Sequence, residues 1–152
     1  MKKYNTKEFA NSKYAVIKTL AGEMKFELLF DDAPNTVSNF VSLAEGGFYN
    51  GLLFHRVVPN FVVQGGCPNG TGTGGPGYSI ECEINSNKHK KGALSMAHRG
   101  KNSGGSQFFI CLGSFPHLDG VHTVFANMIE GLDVLDKVRQ NDVIESITII
   151  RE

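Results

Sequence analysis

Glycine placement constrains this chain more than any other feature. The 152 residues include 18 Gly, spread as punctuation between short apolar runs. That is high for a helical domain and ordinary for a turn-rich one. Seven of these glycines fall within residues 65–77 together with Pro68 and Pro76, so this stretch reads as a loop. With 11 Phe and no Trp, the large apolar anchors are mostly Phe. Both facts point to many short strands joined by tight turns.

Residues 1–12 lack periodicity and read as an extended or frayed leader. Tyr14–Leu20 and Met24–Phe30 are strand candidates, the second opening with apolar and charged residues in alternation. Ala21-Gly22-Glu23 between them predicts an antiparallel hairpin. Pro34-Asn35-Thr36 opens a helix, Val37, Phe40, Val41 and Ala44 recur at helical spacing, and Gly46-Gly47 stops it. Residues 52–64 are strand-like apart from Pro59-Asn60. Within 61–64, Phe61 and Val63 are expected to face one way and Val62 and Gln64 the other.

Ala93–Ala97, Gln107–Leu112, Val121–Met128 and Ile144–Ile150 complete the strands, and Leu132, Leu135 and Val138 mark a second helix. Strands that do not alternate regularly with helices argue against a doubly wound sheet. A mainly β chain follows, one domain over residues 1–152, and a closed antiparallel barrel fits because closure removes edge strands. Periodicity alone leaves a sandwich open.

Lys plus Arg total 15 and Asp plus Glu total 15. A net charge near zero gives no support for nucleic acid or a membrane surface as partner. Cys67, Cys82 and Cys111 are odd in number and form no C-x-x-C, so neither a disulfide framework nor a zinc site is expected. Tyr4–Lys13 is polar, so no apolar segment follows Met1-Lys2-Lys3, and no signal peptide is read. The expected setting is the cytoplasm.

Gly70-Thr-Gly-Thr-Gly-Gly75 matches G-x-G-x-x-G, but Pro76-Gly77 follows directly and offers no helix N-terminus to a pyrophosphate. The five His lack metal-ligand spacing, and His55 reads as a structural residue packed beside a strand. Cys111 lies in the apolar run Phe108–Leu112, where a thiol is inert. No cofactor and no metal are expected.

Four segments remain: Phe54-His55-Arg56-Val57-Val58-Pro59-Asn60-Phe61-Val62-Val63-Gln64-Gly65-Gly66, Ser95-Met96-Ala97, Gly105-Ser106-Gln107-Phe108-Phe109-Ile110 and Leu118-Asp119-Gly120-Val121-His122-Thr123-Val124-Phe125. Several set an apolar strand end beside a polar residue and a glycine, the makings of a shallow apolar pocket with fixed hydrogen-bonding groups. In this order they closely resemble the cyclophilins, over about Tyr14 to Ile150. The resemblance implies a closed eight-stranded antiparallel barrel capped by two helices, with a substrate groove on its outside. It implies a peptidyl-prolyl cis/trans isomerase assisting protein folding, acting as a monomer on proline-containing peptides and on unfolded or folded protein clients.

Carried over position by position, the catalytic set is Arg56, Gln64 and Phe61. The resemblance implies a proline pocket of Phe61, Val62, Phe109 and Leu118, with His122 at its edge. Ala97 and Gln107 line the groove with Arg56 and Gln64, and His98 contributes backbone contacts. Three positions depart from the family's common residues. His117, also assigned to the substrate-binding set, stands where many cyclophilins have Trp, Val62 where Met is common, and His98-Arg99 where Asn-Ala is common. The first implies weakened affinity for cyclosporin, a cyclic peptide that occupies the same groove.

The residue types suit the reaction. An X–Pro bond rotates slowly because its C–N bond has partial double-bond character, with a barrier of about 18–20 kcal/mol. No covalent bond breaks, so neither nucleophile nor metal is needed. In the twisted amide the prolyl nitrogen regains a basic lone pair. A charged, rigid donor such as Arg56 aimed there would bind the transition state better than the planar ground state.

Overall fold

The computed structural model describes residues 1–152. Eight strands appear in the order β1 (Ser12–Thr19), β2 (Gly22–Leu28), β3 (Arg56–Val58), β4 (Val62–Gly65), β5 (Ala93–Met96), β6 (Phe108–Cys111), β7 (Val124–Glu130) and β8 (Ser146–Arg151). Helix α1 (Pro34–Glu45) follows β2, and α2 (Leu132–Leu135) follows β7. The strands form one antiparallel sheet ordered β3-β4-β6-β5-β7-β2-β1-β8.

The predicted β1–β2 hairpin pairs Thr19 with Gly22 and Tyr14 with Glu27. Gly22 takes φ 135°, and a Cβ there would lie 2.8 Å from Val134 Cγ2, so backbone and packing both require glycine.

The expectation of a closed barrel is corrected. β3 and β8 are the two edges of the sheet, and no ladder joins them. β3 stops after three residues because the Pro59-Asn60 turn folds the chain back into β4, and proline has no N–H for a ladder. The gap is spanned by segments lying before β3 and before β8. Phe54 N–H donates to Asp142 O at 2.8 Å, Asn141 N–H to Phe54 O at 2.8 Å and Ile144 N–H to Leu52 O at 2.7 Å, around a single Leu53–Val143 bridge. The result is an open sheet curled into a half-barrel whose edges are tied by irregular chain.

Two further expectations change. α2 is one turn, not a helix reaching Val138. It starts after Gly131, held at φ 104° with β2 backbone so near that a Cβ would meet Glu23 O at 2.6 Å. Leu135 and Val138 are nonetheless buried, the second from the turn that follows. Residues 1–12 are not frayed. Ser12 begins β1, Thr6–Phe9 form a 3₁₀ turn, Tyr4 N–H donates to Asn35 Oδ1 at 2.8 Å, and Lys2 N–H donates to Ser79 O at 2.7 Å.

Strand alternation sorts the apolar residues into two clusters. Val63, Leu94, Met96, Phe108, Ile110 and Phe125 join the main core with Val37, Phe40, Val41 and Ala44 of α1. Phe40 packs 5.8 Å from Phe108 and 5.1 Å from Phe125, ring centre to ring centre. The neighbouring residues Val62, Ala93, Phe109, Cys111 and Val124 form a smaller cluster on the opposite face of the same four strands. A period of two along each strand puts one set inside the curl and the other outside. That outer cluster is the floor of the site.

The residue before α1, Ala33, has no side chain to cap the helix. Glu83 supplies the acceptors from a distant loop. Its Oε1 accepts from Thr36 N–H at 2.6 Å and Thr36 Oγ1 at 2.7 Å, and its Oε2 from Asn35 N–H at 3.2 Å. A carboxylate at a helix N-terminus also answers the helix dipole. Glu83→Ala is expected to cost about 1.5–3 kcal/mol, a fall of roughly 4–10 °C in Tm by thermal melt. Glu83→Gln, which keeps one oxygen acceptor, should recover part of the loss.

Candidate active site

The β3–β4 hairpin sets Arg56 directly opposite Gln64. Its turn needs a left-handed residue, and Asn60 takes φ 63°, a conformation Asn tolerates better than most residues. Arg56 is exposed, so it reaches the site from the sheet edge while its head stays hydrated. A directional chain of hydrogen bonds fixes the polar side of the groove. Arg56 Nη1 donates to Gln64 Oε1 at 3.3 Å, Gln64 Nε2 donates to Gln107 Oε1 at 3.0 Å, and Gln107 Nε2 donates to Gly72 O and Gly74 O at 2.9 Å each. The glycine-rich loop is thereby tied to the hairpin through two amides.

Beside this chain lies a cavity of about 170 Å³ lined by Arg56, Phe61, Val62, Gln64, Ala97, His98, Phe109, Leu118 and His122. Val62 and Phe109 belong to the outer apolar cluster, with Phe61, Ala97 and Leu118 packed against it. Phe61 does not face with Val63 as strand alternation predicts. It is the last residue before β4, following Asn60, so the strand period does not reach it, and it packs with Val62. Phe61 meets Phe115 edge to face at 4.9 Å. A larger cavity of about 430 Å³ adjoins the first, sharing Gln64, Ala97 and His98, and is walled by the glycine-rich loop, Tyr78, Arg99, Asn102, Ser103 and Gln107. Polar and glycine residues dominate it, whereas the small cavity combines an apolar floor with Arg56.

Two histidines bound the small cavity. Their rings stack at 4.0 Å with 14° between planes. Burial, with lesser contributions from His98 and His89, holds the His122 pKa below its ordinary value although Met96 O acts in the other direction. A neutral imidazole with Nδ1–H donating to Met96 O at 2.8 Å follows, leaving Nε2 as an acceptor. The His98 Nε2 lies 3.0 Å from Val121 O, which fixes its side chain at the cavity wall. His55 is also held below its ordinary pKa by burial and by Arg56. It therefore adds no charge beside Arg56 at neutral pH.

Ten of the eleven sequence-assigned residues converge on the two joined cavities: nine line the small one, and Gln107 lines the larger. His117 does not line either. It stacks on Phe61 at 6.1 Å, at the rim. Sequence reading missed Phe115, which braces Phe61, and Tyr78, which walls the larger cavity beside Arg99, a position noted only as a departure from the family. No local pattern distinguishes these from ordinary loop residues; only the fold brings them in.

The family described as cyclophilin type peptidyl-prolyl cis-trans isomerase/CLD matches residues 14–151. A peptidyl-prolyl cis-trans isomerase of Helicobacter pylori (strain ATCC 700392 / 26695) is 59% identical, covering 97% of this chain and 94% of that protein. Peptidyl-prolyl cis-trans isomerase B of Bacillus subtilis (strain 168) is 55% identical, covering 84% and 90%. Among solved structures, a cyclophilin type peptidyl-prolyl cis-trans isomerase of Cryptosporidium parvum is 33% identical with a TM-score of 0.86, covering 93% of this chain and 99% of that one. A second structure of that protein was determined in the presence of the dipeptide Ala-Pro, at a TM-score of 0.86. With the match spanning nearly all eight strands and both cavities, the chain belongs to the cyclophilin-type peptidyl-prolyl cis-trans isomerase family.

Proposed function

We propose that this chain, working as one domain and a monomer, accelerates rotation about X–Pro bonds in proline-containing peptides and in unfolded or folded client proteins. One observation carries this reading: Arg56, the one permanently charged side chain on the small cavity, stands at the edge of an apolar floor and is held by Gln64. The proline ring sits on Phe109, Val62, Phe61 and Leu118. Gln64 and the backbone near Ala97 and His98 hold the acyl side. As the amide twists, the prolyl nitrogen becomes a lone-pair acceptor and takes a hydrogen bond from the Arg56 guanidinium. That bond is stronger in the twisted state than in the planar one, which is the condition for catalysis. A barrier lowered by roughly 4–7 kcal/mol corresponds to about 10³–10⁵ in rate, within reach of a few preorganised hydrogen bonds.

NMR exchange or a protease-coupled assay on a short X–Pro peptide tests the reading. Absence of acceleration in the purified chain would sink it. The free thiols fit a reducing compartment, and we place the protein in the cytoplasm. Burial pushes the Cys111 thiol up to about 12, so it stays protonated and inert. No helix is long and apolar enough to cross a membrane.

His117 bears on cyclosporin rather than on turnover. An imidazole offers less apolar face than an indole and lies at the rim, outside the proline floor. The expected result is weak inhibition of the ordinary protein, tightened about 5- to 150-fold in His117→Trp, the equivalent of roughly 1–3 kcal/mol. An inhibition titration of both proteins in one assay checks it. Nanomolar inhibition of the ordinary protein, or no gain in the Trp variant, overturns it.

A further inference from the structure

His89 is fully buried, outside both cavities, and unused by the mechanism above. Its four polar atoms nevertheless join three residues on the site's underside. The backbone N–H and ring Nδ1–H both donate to Asp119 Oδ1, at 2.8 Å each. Its carbonyl accepts from Phe115 N–H at 2.8 Å. Ring Nε2 lies 2.9 Å from Ser95 Oγ, on β5, and Ser95 is the register partner of Phe109 on β6. The imidazole thus cannot turn without breaking a bond at each nitrogen. Its face lies against the Phe109 ring, 5.8 Å between centres and 16° between planes. His122 closes on Phe109 edge to face at 5.3 Å.

Asp119 is the outward end of this arrangement, with its side chain 20% exposed. It directly follows Leu118, which packs against the apolar floor, and the segment from Phe115 to His122 delivers both Leu118 and His122 to the cavity. The hydrogen bonds from His89 hold the Asp119 carboxyl below its ordinary pKa, so it is ionised at neutral pH and its bonds to His89 are charge-assisted. We propose that His89, fixed by Asp119, is a positioning residue for the isomerase site: it sets the tilt of Phe109 and the height of the 115–122 segment, and so how firmly the proline ring is held. Neither residue touches the peptide. Both act through Phe109 and Leu118, which do.

Holding the proline ring contributes to ground and transition states alike, so its loss raises KM and Kd and leaves kcat nearly unchanged. A residue needed only for stability would lower Tm and leave both constants alone in folded protein. The test uses the whole chain and a short Ala-Pro-containing peptide, well below every variant's melting point. Kd is read by NMR titration, kcat and KM by exchange. Asp119→Ala, a change near the surface, is expected to raise Kd and KM about fivefold or more, equivalent to one lost hydrogen bond, with kcat within about twofold. Asp119→Asn keeps an oxygen acceptor in place and should recover most of the affinity. An ordinary Kd in Asp119→Ala, or a fall in kcat at unchanged KM, overturns the assignment. The inference rests on the isomerase reading, but the two fail separately. A chain that binds the peptide without accelerating it sinks that reading, while the Kd comparison still decides the role of His89 and Asp119.

Discussion

Arg56→Ala is expected to lower kcat/KM by at least about 100-fold, near 3 kcal/mol of lost transition-state stabilisation, while Tm barely moves. The two halves of that result have different causes. Arg56 is exposed on a three-residue edge strand, and its one side-chain hydrogen bond is a 3.3 Å contact with Gln64, so little folding energy rides on it. The loss of rate is large because nothing else permanently charged borders the apolar cavity. Arg56→Lys should restore only part of the rate. A lysine brings a charge without the planar fork that can hold Gln64 with one nitrogen and offer another to the amide. Peptide Kd should change far less than kcat/KM, since the proposed bond from Arg56 to the prolyl nitrogen would form only as the amide twists. Ordinary turnover in Arg56→Ala would remove the mechanism and leave a groove that merely binds proline.

The second large effect concerns the core-facing side of β6, behind the site. Phe108→Ala should destabilise the protein by about 3–5 kcal/mol, read as a lower urea midpoint at nearly unchanged slope. Phe108 is completely buried and meets Tyr49 at 5.5 Å, Phe40 at 5.8 Å and Phe54 at 6.4 Å, so its removal empties the centre of an aromatic cluster that has no room to collapse. Phe109 is one residue along and faces the groove. Phe109→Ala should therefore weaken peptide binding more than Phe108→Ala, while Phe108→Ala costs more stability. The opposite ranking would mean that the register of β6 is shifted by one residue.

What the sequence by itself determined lies where the signal is local. Pro34 and Gly46 bound α1 because one fits the first turn and the other frees the chain to leave it, and Val37, Phe40, Val41 and Ala44 fall on one face by the helical period. The break at Pro59-Asn60 in the strand-like run 52–64 placed a turn just after Arg56, and the structure adds that the two arms pair and set Arg56 opposite Gln64. The motifs around Ser95-Met96-Ala97, Gln107–Phe109 and Leu118–His122 likewise carried the family and nearly all of the groove.

Tertiary structure decided what depends on segments far apart in the chain meeting. Whether β3 and β8 pair is not written in either strand, and here irregular chain before each ties the edges instead. The side on which Phe61 falls depends on where β4 begins, one residue after it. The leader is ordered because Tyr4 finds Asn35 and Asn39 on α1, and α1 is capped because Glu83 arrives from 47 residues away. Ser95 and Asp119 stand in the family motifs without a role of their own, and His89 reads as an ordinary polar residue, until packing brings the three together beneath Phe109. Periodicity and turn chemistry act over a few bonds, so a sequence displays them. Burying a carboxylate's or an imidazole's partners is a bargain struck across the whole fold, and it exists only once the sheet has curled.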